Sequence, residues 1–263
     1  MPRTVTRAPA VLLALGAVAY TAWVLELVLG TGLDPVRAYV SELAAADQPF
    51  GGLFRATDLA AGLLVLAGAV TGLTVTRRHG DARRAGGARP REPWTVVGWI
   101  ALAVFGAATA VDSRLPLSCA PTDDPACAAR EAAGLVPATH TAHAVSSGLA
   151  MTGALAALIA LTVAARRHGR WRPLARTGPV LFALELAATV WTLAAVAAIE
   201  AGKGTWALGA GQRSQVLLVA VWLAVLAYSL ATDPPTDPLT GPPTGPPTDL
   251  PTDPAATEET EKR

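Results

Sequence analysis

Residues 112–147 read DSRLPLSCAPTDDPACAAREAAGLVPATHTAHAVSS. This polar stretch holds both cysteines of the chain and two of its four histidines, and it divides two apolar runs, Trp94–Val111 and Thr139–Ala165. Each run is close to the ~20 residues that a helix needs to cross ~30 Å of hydrocarbon. Two membrane-length segments joined by a short polar connection describe a helical hairpin in a bilayer, with the connection at one surface.

Outward from this stretch the same grain repeats. Six apolar segments, about Ala10–Leu29, Leu59–Thr76, Trp94–Val111, Thr139–Ala165, Pro179–Ile199 and Ser214–Ala231, predict an all-α fold, an integral-membrane six-helix bundle. Only 16% of the 263 residues are charged, against about 25% in a soluble domain, and the mean hydropathy is +0.39. The first segment follows Arg3 and Arg7 and contains a cleavage-like Ala17-Val18-Ala19. Its apolar run exceeds the ~7–15 residues of a signal-peptide core, so a retained helix is expected.

Arginine placement sets the orientation. With the N-terminus in the cytoplasm, 15 of the 21 basic residues fall inside and six (Arg37, Arg55, Arg114, Arg130, Lys203 and Arg213) outside, the positive-inside pattern of a plasma-membrane protein. An even number of spans returns the C-terminus to the cytoplasm. Residues 1–231 thus form the transmembrane domain. Residues 232–263 change to a degenerate Thr/Pro repeat, TDPPTDPLTGPPTGPPTDLPTDP, which cannot build a core and is expected to be a disordered cytoplasmic tail. No Walker loop, dinucleotide fingerprint, zinc-finger spacing or aromatic-laced basic patch occurs, so nothing points to nucleic acid as a partner.

An ionisable side chain at membrane depth is a functional candidate because burying it costs several kcal/mol unless it is paired. In this topology Glu26, Glu42, Asp58, Asp112, His140, His143, Glu200 and Arg213 gather on the outer side, and Glu185 lies deeper in the fifth span. Asp58 in RATDLAAG is placed to cap the second helix. Glu42 lies in a segment too polar to span, where solvation is the plain expectation. Asp112 sits at the C-terminal end of the third helix, where the macrodipole disfavours a carboxylate; Arg114, a histidine or a metal ion would answer it. Pro137 suits the first turn of the next helix, so His140 and His143, three residues apart, share a face in its opening turns, with Ser147 one turn deeper.

Asp112, His140 and His143 therefore form the candidate catalytic or metal-binding set, with zinc or iron as the divalent metal that such donors suit. Glu42 and Asp58 are its weaker, accessory acids. The alternative for both histidines is interfacial hydrogen bonding to carboxylates. Cys119 and Cys127 lie on the outer side, where a disulfide persists. Closing so short a loop contributes about 2–3 kcal/mol and would tie down the connection between the third and fourth spans.

YVSELAA after the first span, FRATDLAAG, DSRLPLSCAPTDDPAC, HTAHAVSS and the GQR before Trp222 occur in an order that resembles a bacterial membrane-protein family, domain-of-unknown-function family 998. The resemblance covers about residues 10–231 and implies a multi-helix bundle in the plasma membrane. It also implies that Ser41, Glu42, Asp58, Asp112, His140, His143 and Arg213 are polar positions of the family. Two functions stay open. One is a non-enzymatic membrane protein, an accessory subunit or a small-solute binder or transporter, whose polar pocket uses these residues with Ser147 and Glu200. The other is a hydrolase or transferase, metal-dependent or not, acting on a lipid or lipid-linked substrate at the outer leaflet.

Overall fold

The computed structural model describes residues 3–85 and 93–233; of the Thr/Pro segment 232–263 expected to be a disordered tail, Thr232 ends the last helix and Asp233 accepts from Arg170, and 234–263 fall outside the described residues. The helices are α1 (Arg3–Tyr20), α2 (Gly51–Ala85), α3 (Pro93–Asp112), α4 (Pro125–Ala132), α5 (Ala138–His168), α6 (Arg172–Glu200) and α7 (Leu208–Thr232). Short 3-10 turns cover Ala22–Leu27 and Val40–Ala44, and no strand occurs among the described residues. Six helices, all but the short α4, are long and apolar enough to cross a membrane. The all-α six-helix bundle read from the sequence is the observed fold. Side chains such as Val18, Val145, Val180 and Leu193 stand exposed on its outer faces, as lipid contact requires when backbone polar groups are satisfied within each helix.

Several boundaries differ from the hydropathy reading. The first span does not stay α-helical: Thr21 turns its hydroxyl back to the Val18 carbonyl, and the chain tightens into the 3-10 turn Ala22–Leu27. The change of pitch re-aims the side chains and buries Glu26 in an otherwise apolar AWVLEL. α2 begins at Gly51, two turns before the apolar run, so Asp58 is an interior helix residue and not the expected cap. α6 begins at Arg172 and runs through Pro179, where the sequence had suggested a start; packing in a bundle tolerates an interior proline that would break a soluble helix. α4, which starts inside the disulfide loop and runs past Cys127, had no hydropathic signal. Asp124 caps it by accepting from the Ala126 N–H at 2.8 Å, with Pro125 in its first turn.

Glycines fix how the helices meet, and the meeting points place the site. A Cβ on Gly62 would lie 2.5 Å from the Ala110 nitrogen and 2.8 Å from the Gly106 oxygen. The α2 and α3 backbones can touch there only because Gly62 and Gly106 lack side chains. One turn outward from this crossing, α2 carries Asp58 and α3 carries Asp112. On the other flank of α3, a Cβ on Gly153 would meet the Phe105 nitrogen at 2.9 Å. Following both antiparallel helices outward by equal lengths from this contact leads to Ser146 on α5 and Asp112 on α3. The core has Trp99, Leu102, Phe105, Leu161, Trp222 and Leu223 fully buried.

Candidate functional site

Asp112 is the centre of the polar cluster. Ser146 donates its hydroxyl to Asp112 Oδ1, and Ser147 donates to Oδ2 at 3.0 Å. His143 Nδ1 lies 3.1 Å from Oδ1, too oblique for a hydrogen bond, and His143 Nε2 is 3.4 Å from the Ser147 hydroxyl. The carboxylate that the helix dipole disfavours is thus answered from α5 by two hydroxyls and an imidazole. Ser146, next to the Ser147 singled out from sequence, is a partner of Asp112 that the sequence reading missed.

His140 belongs to a different assembly. Its Nδ1 accepts from the Ser118 backbone N–H at 3.2 Å and lies 3.0 Å from the Ser118 hydroxyl. A ring nitrogen that accepts a backbone N–H leaves the imidazole hydrogen on Nε2, which faces Glu131 Oε1 at 3.4 Å. Ser118 adjoins the Cys119–Cys127 disulfide, which is formed, with a Cα–Cα distance of 6.0 Å. His140 therefore anchors the disulfide loop while His143 serves Asp112. Among the described residues no three His, Cys, Asp or Glu side chains gather to hold a metal ion, so Asp112, His140 and His143 do not assemble as one ligand set. Their spacing put both histidines on one side of α5, but the partners on either side differ.

Glu42, expected to be solvated, is completely buried. Its Oε1 accepts the Thr122 N–H at 2.9 Å and its Oε2 the Thr122 hydroxyl at 2.5 Å. Because Thr122 lies between the two cysteines, Glu42 clasps the segment after the first span to the disulfide loop. The same segment is pinned at Val40, whose N–H donates to Gln212 Oε1 at 2.9 Å, and at Ala44, whose carbonyl accepts from Arg55 at 2.7 Å. Ala46 N–H donates to the Leu117 carbonyl at 2.8 Å. Burial pushes the Glu42 carboxyl above the ordinary carboxylate range, against the opposing pull of its Thr122 bonds.

Beneath this lid is a cavity of about 150 Å³, whose walls include Tyr20, Ser41, Asp58, Asp112, Ser147 and Gln215. Asp58 makes no hydrogen bond or ion pair with any described residue. Two residues expected in the pocket stand elsewhere. Glu200 is exposed at the end of α6. Arg213 is buried in a two-pronged pair with Glu26, Nε and Nη2 donating to the two carboxylate oxygens at 2.6 Å each, while Nη1 donates to the Ala38 carbonyl at 2.8 Å. The separation of 187 residues between those partners left no local signal in the sequence.

The profile of the family described as "Protein of unknown function (DUF998)" matches residues 13–229, a span that contains the whole cavity and its lid. The chain belongs to the DUF998 family. No curated protein and no solved structure matches it. In this DUF998 protein, the segments that carried the resemblance are the ones that build the site. YVSELAA supplies the lid with Glu42, FRATDLAAG supplies Arg55 and Asp58, HTAHAVSS supplies both histidines and both serines, and GQR supplies Gln212 and Arg213.

Proposed function

We propose that this DUF998 protein is a plasma-membrane protein, both termini cytoplasmic, whose outward-facing cavity binds a small polar solute for uptake, release or sensing. The observation that carries the reading is Asp58. A carboxylate that faces a cavity without a partner loses solvation on folding and gains nothing from the protein in return. Glu26, Glu42 and Asp112 have named partners, and Glu185, whose buried oxygens are also unmet, lies outside the cavity wall; Asp58 is the open carboxylate that faces the cavity. The clasped lid supplies the control of entry, because its anchors at Thr122, Gln212 and Arg55 are all side-chain bonds that can open without unfolding a helix.

Free thiols are absent among the described residues, so an introduced cysteine in the cavity reports access. Ser41→Cys is expected to react with a membrane-impermeant maleimide on intact cells, and faster when Glu42→Ala loosens the lid. Reaction only after permeabilisation overturns the orientation; no reaction in either background overturns the cavity as a solute site.

A second reading rests on Ser147, whose hydroxyl touches both Asp112 and His143. A serine so placed could be a nucleophile in a hydrolase or transferase working on a lipid-like substrate. The hydroxyl already donates to Asp112, however, and His143 holds no hydrogen-bonded orienting partner at Nδ1. A fluorophosphonate probe separates the readings: labelling that Ser147→Ala abolishes supports the enzyme, and an unlabelled protein supports the binding site.

A further inference from the structure

The cavity walls specify an occupant. We infer that it accommodates a small organic ammonium ion bearing a hydroxyl oxygen, an amino alcohol of about the size of choline, an assignment that rests on the cavity being a solute site. Charge comes first. Asp58 and Asp112 stand in the wall, and no Lys, Arg or His does. The cations nearest in the sequence to these walls are committed elsewhere: Arg213 to Glu26 and Arg55 to the Ala44 and Ala45 carbonyls. His143 lies against Asp112 from outside the wall. A cation therefore enters a region whose wall holds two carboxylates and no basic side chain; Asp112 already has Ser146, Ser147 and His143, and Asp58 is the carboxylate with no bonded partner.

The remainder of the wall distinguishes an organic cation from a metal ion. Tyr20, Trp23 and Phe54 contribute aromatic rings, and Leu43, Met151 and Val216 contribute aliphatic surface. Aromatic rings with a carboxylate are the surroundings in which alkylated ammonium ions are recognised, their charge spread over carbons that aromatic faces attract. Divalent metals instead draw on several charged or imidazole donors at once, and no group of three His, Cys, Asp or Glu gathers among the described residues. Size agrees, since a cavity near 150 Å³ holds a molecule of roughly benzene's bulk.

The oxygen on the ligand is assigned from Trp23, which stands in the wall, unlike Trp99 and Trp222, whose indole N–H groups are also unmet. The Trp23 indole N–H is buried with no acceptor among the described residues, and leaving such a donor unmet costs about 1–3 kcal/mol. A hydroxyl oxygen on the ligand would meet it. The same ammonium chemistry occurs on phospholipid headgroups, but these bring a phosphate, which would face Asp58 and Asp112 without any basic side chain in the wall. The free amino alcohol is the better match.

Equilibrium dialysis of the full-length protein in detergent tests this with choline, with tetramethylammonium, and with choline's uncharged tert-butyl isostere. Choline is expected to bind at least about tenfold more tightly than the isostere, a ratio within the reach of one desolvated cation–π contact. Asp58→Asn, with its melting temperature retained as the folding control, loses about tenfold or more in affinity. Trp23→Phe removes the preference for choline over tetramethylammonium. If the isostere binds as well as choline, or if Asp58→Asn binds unchanged, the ammonium assignment is overturned and the solute cavity stands. If phosphatidylcholine nanodiscs occupy the site and free choline does not, the headgroup is the source and the assignment is overturned. If none of the small molecules binds, and Ser41→Cys is not reached by the maleimide, the cavity reading itself is overturned.

Discussion

Glu26 and Asp58 are both carboxylates carried by membrane-spanning helices near the lid, and their circumstances are opposite. Glu26 meets Arg213 through two short bonds, with both side chains almost wholly buried. Asp58 meets a cavity. Burying an ion pair costs desolvation that only good geometry offsets, and Arg213 achieves it by also donating to the Ala38 and Gly209 carbonyls. The bundle therefore uses its buried arginine to fasten the 3-10 turn and the lid segment to α7. The carboxylate beside the cavity is left without such a partner. The contrast separates residues that hold the fold from a residue available to a ligand, and substitutions at each should have effects of different kinds.

The largest effect is expected from Arg213→Ala. It leaves Glu26 charged, buried and alone, which costs about 3–5 kcal/mol. Thermal unfolding in detergent should show a large fall in melting temperature or a failure to accumulate; adding Glu26→Gln to the same chain should recover much of the loss. A smaller loss, about 2–3 kcal/mol, is expected from Cys119→Ser with Cys127→Ser. That change should also free Thr122, so the amide of Val40 in the lid should exchange hydrogen faster.

Glu42 gives a pH signature. Its folded carboxyl titrates above its unfolded value, so the contribution of this group to stability is fully present below the ordinary carboxylate range and is lost as pH rises through the folded pKa. Lid protection against hydrogen exchange should therefore weaken as the pH rises through that point. In Glu42→Gln the protection should become flat with pH, while stability near neutrality changes by about 1 kcal/mol. A wild-type lid whose protection strengthens with rising pH would contradict this. The smallest effect on stability belongs to Asp58→Asn: within about 0.5 kcal/mol of wild type, or slightly more stable, since no protein partner is lost.

The number of membrane helices was legible because each run of apolar residues is about as long as a span. The cysteine pair was legible as well, from its short spacing. The surroundings of the acids were not. Asp58 looked like a cap because the apolar run starts beside it, whereas the helix starts at Gly51, where local hydrogen bonding rather than hydropathy sets the end. His140 and His143 looked like a pair because helical spacing fixes the side of the helix and not the neighbour on that side. Glu42 looked solvated because its partner, Thr122, is 80 residues away. For Glu42 and His140 the missing information was which distant segment packs against them; for Asp112 and Ser146 it was which helices touch, and that was carried by Gly62, Gly106 and Gly153.

The contrast between the two acids can be measured in one experiment: melting temperatures of Glu26→Gln and Asp58→Asn, side by side with wild type in the same detergent. Glu26→Gln should melt well below wild type and Asp58→Asn at or above it. If Asp58→Asn falls as far as Glu26→Gln, the Asp58 carboxylate is holding the fold together and is not available to a ligand.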